Sequence, residues 1–133
     1  LNAILDLKRV ICKNENISLK CYVQNDLPKF DDVTFSTIFG NLMDNAIEAE
    51  TEENEKEIRL AIESLGSYLH ITIQNKIQNP VLVNGDLPKT TKKDRTNHGF
   101  GIYSITETIA QNNGAIRFYE KEGWFIADIL MTV

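Results

Sequence analysis

The chain has 133 residues, within the usual span of one domain, and 42% of them are hydrophobic and 25% charged, a globular balance that excludes a disordered chain. Lysine and arginine total 14 against 19 aspartates and glutamates, a formal charge of −5, which argues against a general nucleic-acid binder. The best apolar stretch, WFIADILM, is interrupted by Asp128 and falls well short of the ~20 residues a membrane-spanning helix needs.

In chain order, LNAILDLKRVICKNENI places apolar Ile4, Leu5, Leu7, Val10 and Ile11 at helical spacing with no N-cap before them. Residues 1–16 therefore read as a helix entering from a preceding region. Cys12 and Cys21 are expected as free thiols, since nothing around them suggests an oxidised scaffold. ISLKCYVQ alternates as a strand with Ile17, Leu19, Cys21 and Val23 on one face. After the polar connection NDLPKFDD, Asp31 or Asp32 caps a helix, VTFSTIFGNLMDNAIEAE. Its apolar arc is Phe35, Ile38, Phe39, Leu42, Met43, Ala46 and Ala49, with Ile47 at the edge.

TEENEKE is a solvated turn, and IRLAIESL and YLHITIQN form a hairpin across Gly66-Ser67. Periodicity then vanishes over residues 76–97, which carry Lys89, Lys92, Lys93 and Arg95. A structureless stretch this long is usually functional, often a lid. HGFG opens the helix IYSITETIAQNN, with Gly114 expected at its left-handed cap. AIRFYEK and WFIADILMTV close the chain as a hairpin around Glu122-Gly123. The expected fold class is α+β: a two-layer sandwich with three helices on one face of a mixed sheet of about five strands.

Three groups of residues carry chemistry. Asn41, Asn45 and Glu48 form one stripe on the long helix, opposite its apolar arc, with Asp44 beside it. A solvated face would give the same stripe, but asparagine is a poor helix former, and carboxamide oxygens are hard ligands suited to magnesium. His98-Gly99-Phe100-Gly101-Ile102 stands at a helix start, where free N–H groups and glycine's lack of a Cβ suit an anion. The basic loop before it strengthens a polyphosphate reading over a plain glycine turn. Asn75 shares strand parity with Leu69, Ile71 and Ile73, so its amide points toward their apolar face. It either satisfies backbone at the strand's end or meets the edge of a buried base.

Together and in this order, these groups resemble the ATP-binding catalytic domain of a sensor histidine kinase, within the Bergerat-fold (GHKL) ATPases. NLMDNAIEAE at 41–50 resembles the asparagine box and HGFGI at 98–102 the second glycine box. The combination with a lone Asn75 and TTKK is most similar to the peptide-quorum-sensing, accessory-gene-regulator type of Gram-positive bacteria. The resemblance implies ATP and magnesium as ligands. Asn45 would be the principal metal ligand, helped by Asn41, with Glu48 ordering metal-bound water. Asn75 would recognise adenine, Lys92 would reach the phosphates from a lid at 76–97, and His98, Gly99, Phe100, Gly101 and Ile102 would cradle them.

Two departures matter. Most family members carry an Asp-x-Gly-x-Gly box after the third strand, where this chain has Asn75-Lys76-Ile77-Gln78-Asn79. A neutral acceptor binds the adenine amino group less strongly than a carboxylate. In ATP-hydrolysing relatives a glutamate stands where this chain has Asn41, and an amide cannot act as a general base. The resemblance thus implies phosphoryl transfer to a histidine on an upstream dimerisation domain, in a homodimeric parent that passes the phosphoryl group to a response regulator. The parent would be a membrane receptor, with this part cytoplasmic. His70, mid-strand, reads as an ordinary sheet residue. The alternative is a degenerate docking module with little nucleotide affinity.

Overall fold

The computed structural model describes residues 2–29, 31–51, 53–82 and 100–132. The elements are α1 (Asn2–Asn14), β1 (Ser18–Val23), α2 (Asp32–Glu50), β2 (Glu57–Leu65), β3 (Tyr68–Lys76), α3 (Phe100–Gln111), β4 (Ala115–Lys121) and β5 (Trp124–Thr132). The strands lie in the order β1-β2-β3-β5-β4. β1 runs parallel to β2, with α2 supplying the crossover that a parallel pair needs, and the other neighbours are antiparallel. This is the expected mixed five-stranded sheet with three helices in an α+β sandwich. Among the described residues no helix is long and apolar enough to cross a membrane.

The period-2 alternation of β2, β3 and β5 sends Ile58, Leu60, Ile62, Leu69, Ile71, Ile73, Ala127, Ile129 and Met131 to the helix side. There they meet Phe35, Phe39, Met43 and Ala46 of α2 and Ile105 and Ile109 of α3 in one core. Phe35 and Phe39 stack one turn apart, with ring centroids 5.4 Å from each other. Asp31, the residue before α2, caps it by accepting from Val33 N at 3.1 Å and from Thr34 Oγ1 at 2.7 Å. The Thr34 hydroxyl and then the Val33 N–H hold that carboxyl below its ordinary pKa.

Several expectations are corrected. In α1 the buried positions are Leu5, Lys8 and Cys12, while Leu7 and Val10 are exposed. The covered stripe of this helix follows i, i+3, i+7 and leaves part of the apolar set outside. At the end of α2, Ala49 is exposed and Glu50 is buried, for a reason given below. Lys76, expected as the first lid residue, is the last of β3 and pairs with Trp124. α3 starts at Phe100, so Phe100 and Gly101 belong to its first turn.

The left-handed residue after α3 is Asn113 (φ 58°), not Gly114. Asn113 N donates to Ala110 O at 3.2 Å and Gly114 N to Ile109 O at 2.9 Å, closing the helix end. Gly114 is needed for closeness, since a Cβ there would sit 2.6 Å from Leu130 O. α1 ends the same way, with Asn16 at φ 59° and Ile17 N donating to Cys12 O at 2.8 Å. Both cysteines are free, and burial pushes the Cys12 thiol up to about 11.

Candidate functional site

The stripe on α2 is uneven. Asn41, Asp44 and Glu48 are exposed, whereas Asn45 is half-buried. Its amide nitrogen, Nδ2, is out of solvent and has no hydrogen-bond partner among the described residues. A buried polar group left unpaired costs free energy, and most in native proteins are satisfied. Among the described residues, nothing is held in place by this amide nitrogen. A carboxamide offers both a hard oxygen for a cation and N–H donors for an anionic oxygen. Asn41, one turn earlier, presents a second amide on the same side of the helix. The donor set fits magnesium with phosphate.

Beside them, Lys8 of α1 reaches across to Asp44, Nζ to Oδ1 at 2.6 Å. The lysine side chain is 9% exposed and the aspartate 59%. This pair ties α1 to the helix that carries Asn41 and Asn45. Apolar spacing gave no hint of it, because Lys8 sits among apolar positions of α1 by sequence and reads as a side chain directed to water.

The second part of the site is at the far end of the same helix. Asn75 faces the helix layer as its strand parity requires and is 5% exposed. Its Nδ2 donates to Glu50 Oε1 at 3.3 Å. Glu50, fully buried, also accepts from the backbone N–H of Glu57 through Oε2 at 3.0 Å. Burial pushes its carboxyl up to about 7, against the opposing pull of the Glu57 N–H and the Asn75 amide. Glu53 and Glu57 add smaller repulsions in the same upward direction. Glu50 carries no role in the sequence reading. A signal existed: it lies three and four residues after Ile47 and Ala46, on the continuation of the buried stripe.

Of the second glycine box, Phe100, Gly101 and Ile102 form the first turn of α3, which packs on α2. Backbone N–H groups in a first helical turn lack intrahelical partners. Lys92, His98 and Gly99 lie outside the described residues, as do Lys89, Lys93 and Arg95 and all of the expected lid after Leu82. The described start of that segment is tied down: Ile77 N donates to Gly123 O at 2.9 Å, and Val81 N donates to the Glu120 carboxylate.

His70 lies on the face of the sheet opposite the helices, which no described element covers. Its Nε2 meets Asp128 and its Nδ1 lies 3.4 Å from Glu63 Oε1.

Comparisons with known proteins agree with this architecture. The family model described as the GHKL domain matches residues 30–132. A nucleotide-free form of the catalytic domain of histidine kinase ThkA superposes with a TM-score of 0.77 at 20% identity, over 99% of this chain and 91% of that one. A second nucleotide-free form gives 0.77 at 19% identity, over 98% and 89%. The Acinetobacter baumannii histidine kinase AdeS gives 0.62 at 15% identity, over 98% of this chain and 64% of that one. These structures share the fold. No curated protein matches the chain.

Proposed function

This chain belongs to the GHKL domain family, and on that premise we propose that it is the Mg-ATP-binding catalytic domain of a two-component sensor histidine kinase. The observation that carries the reading is the Asn45 amide, buried at Nδ2 and without a partner among the described residues, on the helix that also bears Asn41. An unsatisfied buried donor beside a second amide is explained by a ligand rich in oxygen. ATP is the substrate such a set suits.

Asn45 and Asn41 would hold magnesium through their amide oxygens. The metal, when bound, supplies neutralisation of the phosphate charge. Asn45 Nδ2 donates to a phosphate oxygen, and the first-turn N–H groups of α3, from Phe100 to Ile102, face the phosphates. Lys92, His98 and Gly99 are assigned to the same cradle by their place in the sequence. Glu48 orders water at the edge of the metal site. Asn75 accepts from the 6-amino group of adenine through Oδ1. Phosphoryl transfer asks mainly for positioning and charge neutralisation, which these groups supply. At position 41, where ATP-hydrolysing relatives carry a glutamate, this chain has an amide, which does not deprotonate water.

The γ-phosphoryl group therefore goes to a nucleophile brought from outside, a histidine on an upstream dimerisation domain of a homodimeric parent, and from there to a response regulator. NLMDNAIEAE, Asn75, TTKK and HGFGI support the peptide-quorum-sensing type, in which this part is the cytoplasmic portion of a membrane receptor. Titration with a fluorescent ATP analogue, with and without magnesium, tests the binding. Magnesium-dependent saturation is expected; no binding in either condition would leave the docking-module reading. Incubation with radiolabelled ATP tests the chemistry. The chain alone should release almost no phosphate, and an added dimerisation fragment should become labelled at histidine. Rapid phosphate release by the chain alone would overturn the kinase reading.

A further inference from the structure

We propose that Glu50 is a positioning residue for base recognition: its carboxylate fixes which edge of the Asn75 amide is offered to the purine, and so selects a 6-aminopurine over a 6-oxopurine. This inference rests on the reading that Asn75 meets the base. The argument starts from hydrogen-bond polarity. An ionised carboxylate only accepts, so the amide edge that faces it must be Nδ2. Nδ2 donates to Glu50 Oε1 at 3.3 Å. Oδ1 is thereby turned to the opposite side, as an acceptor for a donating 6-amino group.

The carboxylate is itself fixed. Its second oxygen, Oε2, accepts from the backbone N–H of Glu57 at 3.0 Å, and that N–H belongs to the first residue of β2 and cannot reverse its polarity. Glu50 is fully buried and Asn75 5% exposed, so water does not stand in for either partner. The chain of polarity runs from the strand backbone through Glu50 to Asn75 and ends at the base. A glutamate at this point is costly to bury, and its place between two donors is the return for it.

Glu50→Gln breaks this chain at one atom while keeping the shape. The glutamine oxygen must take the Glu57 N–H, which leaves its Nε2 facing Asn75. Asn75 then turns Oδ1 to Gln and offers Nδ2 to the base, where it repels a 6-amino group and suits a 6-oxo group.

The test is calorimetric titration of the chain at pH 8 with Mg-ATP and with Mg-ITP. The parent should bind ATP about tenfold more tightly than ITP, the worth of one hydrogen bond against one unpaired group. In Glu50→Gln that ratio should fall by about tenfold or more, with ITP binding improved. A variant that weakens both nucleotides alike, or keeps the parent's ratio, overturns the inference and leaves the nucleotide site standing. A parent that binds neither nucleotide overturns both.

Should Glu50→Gln not fold, the parent answers through pH. Proton uptake by Glu50, near 7, gives it a donor to aim at Asn75, with the nearby acidic groups Glu53 and Glu57 favouring that proton. The ATP-to-ITP ratio should then fall between pH 8 and pH 6. Protonation of the γ-phosphate affects both nucleotides alike and cancels in the ratio. A constant ratio overturns the inference.

Discussion

On the open face of the sheet, His70 of β3 meets Glu63 of β2 and Asp128 of β5, and Asp128 accepts from Arg117 of β4 at 3.1 Å. On the covered face of the same strand, Asn75 meets Glu50 and, through it, the backbone of β2. The open-face groups keep water within reach; the Arg117 side chain is 70% exposed and that of Glu63 44%. Losing one partner there returns the other to solvent, so each pair contributes little. The covered pair has no such retreat. A polar side chain on an open face needs no special explanation, whereas one on a covered face requires a partner of the right polarity, and the pair then has a direction that a ligand can read.

The comparison breaks most sharply at Glu50→Ala. Measured at pH 5, where the parent carboxyl is neutral, the substitution leaves the Asn75 amide and the Glu57 N–H buried and unpaired beside a cavity. It should destabilise the chain by about 3–5 kcal/mol in urea denaturation, while Glu63→Ala on the open face should cost under about 1 kcal/mol. Equal losses would show that the two faces do not differ as argued.

pH gives a smaller effect. A carboxyl whose pKa is higher in the folded chain than in the unfolded one holds its proton more tightly when folded. Its contribution to stability is complete below about 4.5 and is lost as pH rises through about 7. Relative to Glu50→Gln, the parent should therefore lose about 2.5 kcal/mol of stability between pH 5 and pH 8. A gap between parent and variant that does not change with pH would contradict the burial of this charge.

Most of the fold was legible because its periods are strong. The β2–β3 hairpin follows from alternation and from Gly66, which takes φ 61° at the first loop position. α2 follows from its apolar arc up to Ile47. Its last turn departs from the sequence pattern for a definite reason. Glutamate is assigned to water by type and alanine to the core, and only the approach of β2 and β3, which bring the Glu57 N–H and Asn75 to the same point, reverses that order. Asn75 was placed correctly because strand parity is insensitive to residue type. Asn113, not Gly114, takes the left-handed position, since asparagine also tolerates that region while glycine's missing Cβ answers a different need. Of the candidate site, Asn41, Asn45 and Asn75 fall on the expected elements. The Lys8–Asp44 tie was illegible, because it joins positions that only the packing of α1 on α2 brings together.

Asn45 sharpens the comparison from the other side, as a covered amide atom with no partner among the described residues. Removing an unsatisfied donor and restoring a better helix former should change stability by less than about 1 kcal/mol, toward a gain. The same Asn45→Ala variant should lose magnesium-dependent nucleotide binding. Full binding would remove Asn45 from the site, and a large loss of stability would mean that its amide has a structural partner after all.

The smallest effect belongs to the centre of the open-face network. Asp128 lies between His70 and Arg117, with its side chain 22% exposed. Asp128→Asn keeps the shape and an acceptor oxygen but removes the charge from both pairs. If the open face works through screened, replaceable interactions, the loss should stay within about 1 kcal/mol in dilute buffer. It should shrink further in 1 M salt, where the screening length is ~3 Å. Neither change should reach the ATP-to-ITP ratio, because the polarity that sets it passes through Glu50 on the opposite side of β3. A loss as large as that of Glu50→Ala, or one indifferent to salt, would make the open-face cluster a buried network in its own right and remove the distinction between the two faces.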